Sequence, residues 1–141
     1  MNLLGDLDKR DAELFQSLCR FGWIFGDFTP LVFDTQDQIY NALGINFGSL
    51  SHLDSLGLIQ FNGVSGFNRQ KLPKNFAVSY CGQVLPLTMN KEEDNQITIG
   101  KVLLTQAGHE LARISNAPGV EGFYDYVKRK WKAHVPNDEN T

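Results

Sequence analysis

The segment from Ser49 to Phe61 constrains the fold of this chain more than any other part of the sequence. Three leucines within it lie three residues apart: Leu50, Leu53 and Leu56. This spacing predicts one apolar face of a short helix, which Asn46 or Ser49 can cap. Gly57 supplies the left-handed position that commonly ends a helix, and the apolar run 58–61 predicts a strand. A short helix that passes through glycine directly into a strand is typical of a winged helix.

Two further helices are predicted before this segment. Asp8 is a good N-cap, and apolar residues at spacings of three and four follow it. They predict a helix that ends near residues 25–26. Asp34 or Thr35 is expected to cap a second helix, which Gly44 stops.

The second half of the chain predicts strands and two more helices. Alternating apolar residues predict strands over 76–80 and 84–89, and a further strand over 97–104 interrupted at Gly100. The polar segment from Asn62 to Asn75 contains glycines and a proline, and it predicts a long loop. Thr105 is expected to cap a helix with Ile114 on its inner face. An apolar stripe over 120–131 predicts the C-terminal helix.

These elements predict an α+β fold, with winged-helix-like helices, a small antiparallel sheet of three or four strands, and a C-terminal helix packed across it. The 141 residues are the size of one ordinary domain, and hydrophobic residues make up 42% of them. We predict a lead-in at residues 1–7, a single winged-helix-like domain at 8–135 and a disordered tail at 136–141.

Composition argues against several classes of function. The net charge of −3 provides no basic footprint for nucleic acid, and no apolar run reaches the roughly 20 residues that span a bilayer. The N-terminus lacks the basic and apolar regions of a signal peptide. Cys19 and Cys81 are predicted to be buried free thiols, which favours a cytoplasmic location.

No catalytic or metal-binding pattern stands out. His109 and Glu110 resemble the start of a zinc-binding HExxH helix, but Arg113 occupies the position of the second histidine. The sequence therefore predicts a protein that is not an enzyme and holds no metal or cofactor. A deep pocket lined by His52 or His109, with a carboxylate in reach, would favour an enzyme instead.

An aromatic cluster is the best indication of a protein interface. Its members are Phe21, Trp23, Phe25 and Phe28. Most of the cluster is expected to be core, but a helix that is apolar on nearly all sides must be covered either by the sheet or by another chain.

Basic residues offer an alternative, nucleic-acid or phosphate binding. The candidates lie in a loop and in the last helix: Arg69, Lys71, Lys74, Lys128, Arg129, Lys130 and Lys132. A solvated loop and a helix end that favours cations are the preferred explanations of these residues. The helix that would read DNA carries no lysine or arginine, and Asp54 on it would be repelled by phosphate. Nucleic acid is therefore the disfavoured partner.

Three stretches together resemble a known family: residues 11–23, the segment 39–59 and the run 99–108. They are similar to the C-terminal region of bacterial proteins grouped as domain-of-unknown-function family 2806, over about Asp8 to Trp131. The resemblance implies a bacterial, cytoplasmic protein in which further sequence precedes this region. It implies no activity, cofactor or catalytic residue. We therefore predict a non-enzymatic interaction or regulatory module of a larger protein, which binds a protein partner or a second copy of itself.

Overall fold

A computed structural model of the chain describes residues 8–136. The helices in this range are α1 (Lys9–Cys19), α2 (Gln38–Asn41), α3 (Phe47–Ser55), α4 (Gln106–Ala112) and α5 (Phe123–Lys130). The strands are β1 (Gly22–Phe25), β2 (Asp27–Pro30), β3 (Ile59–Phe61), β4 (Phe67–Leu72), β5 (Asn75–Tyr80), β6 (Gln83–Thr88), β7 (Asn95–Gly100) and β8 (Val102–Leu104). The mixed α+β class and the C-terminal helix are confirmed. The predicted lead-in and all of the predicted tail except Pro136 lie outside the described residues.

The strands form small antiparallel sheets. One has four strands in the order β2-β1-β5-β6, and two further ladders pair β3 with β8 and β4 with β7. The four-stranded sheet joins a hairpin from the start of the chain to one from its middle. Ile24 in β1 pairs directly with Phe28 in β2 and with Ser79 in β5.

The helix predicted from Asp8 to residues 25–26 is wrong in its second half. Asp8 does cap α1, because its carboxylate accepts a hydrogen bond from Asp11 N at 2.8 Å, but the helix ends at Cys19. The next apolar residues form β1, in which Trp23 is buried and Ile24 exposed. Burial alternates there with period two, as in a strand. The Phe28 ring lies 1.9 Å from where a Cβ on Gly22 would sit, so this hairpin requires glycine there.

The helix–glycine–strand step is present as predicted. Asn46 and Ser49 cap α3 reciprocally, with side chain to backbone hydrogen bonds of 2.9 Å in each direction. Gly57 adopts a φ of +81°, and β3 follows. Strand β3 pairs with β8, and β4 to β7 lie between them in sequence.

The segment from Asn62 to Asn75 was predicted as a loop, but it contains β4. The pairing of β4 with β7 shifts register between Arg69 and Leu72, and Lys71 has a φ of +58°. Such a bulge breaks the alternation by which a strand is normally detected. A run of polar residues over 68–71 hides the remaining pattern.

Three smaller expectations are also wrong. Asp37, and not Asp34 or Thr35, precedes the short helix α2, whereas Asp34 stabilises the turn before it. Ile114 is 65% exposed, because α4 ends at Ala112. Cys81 is exposed, because it lies in the β5–β6 turn with a φ of +51°.

The core is built on aromatic rings on the inner face of the four-stranded sheet. Trp23 lies between Tyr80 and Tyr124, with ring centroids 5.3 and 5.6 Å away. Trp131, at the end of α5, meets Trp23 edge-on at 6.2 Å and donates from Nε1 to Thr98 O at 2.9 Å. The C-terminal helix therefore packs across the inner face, as predicted.

Candidate functional site

The four aromatic residues expected at a protein interface occupy two different environments. Phe21, Trp23 and Phe25 are buried, covered by other parts of the same chain. The sequence allowed these residues to be covered either by the sheet or by another chain. In the structure the same chain covers these three. Phe28 is only half-buried, and it lies on the outer face of the four-stranded sheet.

That outer face carries a continuous row of uncharged side chains. Direct pairing places Phe28, Ile24, Ser79 and Val84 side by side across β2, β1, β5 and β6. Ile24 is 49% exposed and Val84 is 60% exposed. In the next row Ala77 pairs with Pro86, and both are exposed.

No charged side chain shares this face on the four strands, all of which the structure describes. The positions in register on it are Gly22, Ile24, Phe28, Pro30, Asn75, Ala77, Ser79, Val84, Pro86 and Thr88. Solvated sheet faces normally alternate polar residues outward, so this composition is unusual. Exclusion of charge from an exposed apolar patch is typical of the centre of a protein interface. We name this set of residues the outer face.

Sequence reasoning missed the outer face, although one local signal was present. The strands predicted at 76–80 and 84–89 carry their apolar residues inward, and Ala77, Ser79, Val84 and Pro86 remain on the other side. None of these four is charged. An uncharged outward side on two consecutive strands was the available indication.

A cleft of about 680 Å³ borders the outer face at Phe28. Asp27, His109, Glu110 and Arg113 line it, and we name it the Asp27 cleft. Arg69 donates to Asp27 Oδ1 and to Thr29 Oγ1, each at 3.0 Å, and its guanidinium lies 4.8 Å from the Phe25 ring centroid.

The charge state of Asp27 follows from these contacts. Partial burial alone would raise the pKa of Asp27. The hydrogen bonds from Arg69 and Thr29, together with the positive charge of Arg69, outweigh burial and hold the pKa of this carboxyl below its ordinary value. Asp27 is therefore a stable anion at neutral pH.

The Asp27 cleft does not assemble an acid–base pair. His109 Nε2 lies 4.0 Å from Asp27 Oδ2, which is too long for a hydrogen bond. His52 Nε2 lies 2.8 Å from Asp11 Oδ1, but this pair links α3 to α1 on the protein surface. Within residues 8–136 no three His, Cys, Asp or Glu side chains are grouped so as to hold a metal ion.

The seven basic candidates do not form one unpaired surface. Arg69 is bound to Asp27, Lys74 Nζ lies 3.6 Å from Glu92, and Lys130 Nζ lies 3.9 Å from Asp37. The other four make no ion pair within the described part of the chain: Lys71, Lys128, Arg129 and Lys132. Lys71 lines a second cleft together with His134.

Comparison with known proteins places the chain in a family. The sequence profile of the family described as protein of unknown function (DUF2806) matches residues 1–128 of the 141. The chain belongs to this family. Neither a curated protein nor a solved structure matches it. The match therefore confirms the family named above and assigns no activity.

The helices of the described residues are also informative about membranes. None of them has the length and apolar composition needed to cross a bilayer.

Proposed function

We propose that this chain is a protein-interaction domain, and that its outer face docks against the same face of a second copy. The observation that carries the proposal is the charge-free row Phe28–Ile24–Ser79–Val84, which crosses all four strands with Ile24 and Val84 about half exposed. Burial of such side chains is favourable in proportion to the apolar area removed from water.

The absence of charge on this face favours a second copy as the occupant. In a two-fold dimer every residue of the patch meets the same patch, so a charged face would set like charges against one another. The outer face has no charge that could cause this repulsion. Two antiparallel sheets can pack through flat apolar faces about 10 Å apart, as in β-sandwiches.

The size of the face sets the expected affinity. Four strands about 4.8 Å apart, each about 15 Å long, present roughly 300 Å² per copy. Stable complexes bury about 800 Å² per partner. We therefore expect a weak, concentration-dependent dimer with a dissociation constant of about 10 µM or higher.

Sedimentation equilibrium between about 10 µM and 1 mM tests this proposal. The wild-type average mass should rise towards that of a dimer, whereas Ile24→Lys and Val84→Lys should remain monomeric. Each variant would place a lysine without a partner in the contact, on an inner strand for Ile24 and on the edge strand for Val84. Circular dichroism should confirm that both variants are folded, because both side chains already face solvent.

Ile114→Lys is the matched control. It makes the same change at an isoleucine that is 65% exposed but lies beyond α4, on none of the four strands. It should dimerise as the wild type does. A wild-type protein that stays monomeric at 1 mM, or an Ile24→Lys variant that dimerises normally, would contradict the proposal.

Nucleic-acid binding is the weaker candidate. Three of its seven cations are already paired with carboxylates, and the surface of α3 presents Asp54 without a lysine or arginine. Asp54 Oδ2 also accepts a hydrogen bond from Phe61 N at 2.8 Å, so its role is to join α3 to β3. We therefore favour the protein interface.

A further inference from the structure

We propose that a second cleft, at the far end of β4, binds a small phosphate-bearing molecule through Lys71 and Lys91. The cleft has a volume of about 510 Å³ and lies between the end of β4 and the connection from β6 to β7. Lys71, Lys91, Asp94, Gln96 and His134 are among its lining residues, and we name it the tip cleft.

Asn95 holds the two lysines at this cleft. Its side chain is 5% exposed, and Nδ2 donates to Leu72 O and to Lys91 O, both at 3.0 Å. Its Oδ1 accepts from Lys91 N at 3.1 Å. One buried amide therefore fixes the backbone of Lys91 on both sides and also the residue next to Lys71. A buried amide with its hydrogen bonds made is a rigid connection.

The charge of the cleft is positive on balance. Lys71 and Lys91 are both exposed, and neither makes an ion pair within residues 8–136. Asp94 contributes a single carboxylate to the lining. Lys74 lies in the turn that follows β4, but it is paired with Glu92 and does not line the cleft.

His134 lies in the wall of this cleft. It belongs to the 3₁₀ turn Lys132–His134 after α5. Its Nδ1 is closed off from the cleft and has no hydrogen-bond partner among the described residues, so the imidazole can meet a ligand only through its other ring atoms.

The lining specifies the class of ligand. Two ammonium groups suit a dianionic phosphate, and the side-chain amides of Gln70, Asn90 and Gln96 can bond to hydroxyl groups. No phenylalanine, tyrosine or tryptophan lines the cleft, so it lacks the large rings on which nucleobases usually stack, and His134 is its one aromatic side chain. A phosphate ester of a small polyol or sugar fits these groups better than a nucleotide does.

Isothermal titration at low ionic strength, in a buffer free of phosphate, tests the site. The probes are inorganic phosphate, ribose 5-phosphate and a ten-nucleotide poly-dT. The double variant K71Q/K91Q should bind both phosphates at least about tenfold more weakly than the wild type, because two charge-assisted hydrogen bonds are lost. Lys74→Gln, three residues from Lys71 but outside the lining, should bind as the wild type does.

Asp94→Asn gives a change of opposite sign. Asp94 has a φ of +62°, which asparagine also tolerates, so this variant keeps the turn and removes only the negative charge. Its affinity for ribose 5-phosphate should rise about two- to fivefold, because one repulsive charge near the surface is lost. A gain of affinity cannot come from misfolding.

The titrations of the wild type and the variants decide whether the tip cleft binds a small phosphate. Weaker binding by K71Q/K91Q together with tighter binding by Asp94→Asn supports the site. No heat with either phosphate at millimolar concentration would overturn it, as would equal affinities for K71Q/K91Q and the wild type. Binding of the oligonucleotide alone would overturn the assignment to a small ligand.

Discussion

The two faces of the four-stranded sheet differ sharply, although they are built from alternating residues of the same strands. Trp23 and its neighbour Ile24 point to opposite sides of β1. On the inner side Trp23 is fully buried in a stack with Tyr80 and Tyr124, and on the outer side Ile24 is half exposed. Both sides are apolar, but only the inner side is covered by α5 and Trp131. An apolar face that the fold leaves uncovered is available for association.

The largest expected difference between the two faces is in stability. Trp23→Ala should lower the free energy of unfolding by about 3–5 kcal/mol, because it removes a buried indole and leaves a cavity between two rings. Ile24→Ala should change it by about 0.5 kcal/mol or less, because the residue is half exposed. Urea unfolding at a protein concentration of a few micromolar, where the chain is monomeric, measures both.

Those two variants also test the assignment of the faces. If Ile24→Ala destabilised the monomer by as much as Trp23→Ala, the outer face would belong to the core, and its role in association would lose its basis. Small effects from both would mean that the aromatic stack does not dominate the stability of the sheet.

A smaller effect separates two tyrosines that stack on the same tryptophan. Tyr80 OH donates to Arg20 O and accepts from Val120 N at 2.7 Å, so it joins β5 to the segments beside α1 and α5. Tyr80→Phe keeps the stacked ring but leaves the Val120 N–H without this partner. It should cost about 1–3 kcal/mol.

Tyr124→Phe is the matched control for that change. Its hydroxyl donates to Val84 O at 2.9 Å in an exposed position, where water can replace it. The expected loss is about 0.5 kcal/mol or less. Equal losses for the two variants would show that the Tyr80 hydroxyl does not stabilise the fold in the way its two hydrogen bonds imply.

Local signals explain the parts of the fold that the sequence predicts correctly. Leu50, Leu53 and Gly57 fix α3 and its end through contacts within one segment, and Thr105 caps α4 by accepting from Gly108 N. The α1–β1 boundary was misplaced because Trp23 lies four residues after Cys19 and so continues the helical stripe, whereas Phe21, Trp23 and Phe25 also have the spacing of a strand. Whether this segment forms a helix or a strand depends on the pairing of Ile24 with Phe28 and Ser79, which no local pattern contains.

The candidate sites were harder to predict, for the same physical reason. The outer face exists only because β1 and β5, far apart in sequence, lie side by side. The tip cleft depends on Asn95, which ends a run of charged residues in the sequence but is buried by its bonds to Leu72 and Lys91. Lys71 was a candidate from its charge alone, and its partners Lys91 and His134 were not.

The ion pair between Asp27 and Arg69 should contribute least to the free energy of unfolding, and its contribution should depend on pH. Arg69 holds the pKa of Asp27 below its unfolded value of about 3.9. A carboxyl with a depressed folded pKa stabilises the protein above the unfolded pKa, and this stabilisation is lost as the pH falls through the folded pKa. Asp27 is more than half exposed, so the effect should be below about 1 kcal/mol.

Unfolding by urea at pH 7, 4 and 2.5 measures this contribution. Asp27→Asn should be less stable than the wild type at pH 7, and the difference should shrink as the pH falls below about 4, because wild-type Asp27 then becomes neutral as well. Glu110→Gln removes another carboxylate from the same cleft, one that makes no ion pair within residues 8–136, and serves as the control. A difference between Asp27→Asn and the wild type that persists unchanged at pH 2.5 would show that the amide disturbs packing. The effect of Asp27→Asn would then be steric, and the charge of Asp27 would not contribute to the free energy of unfolding.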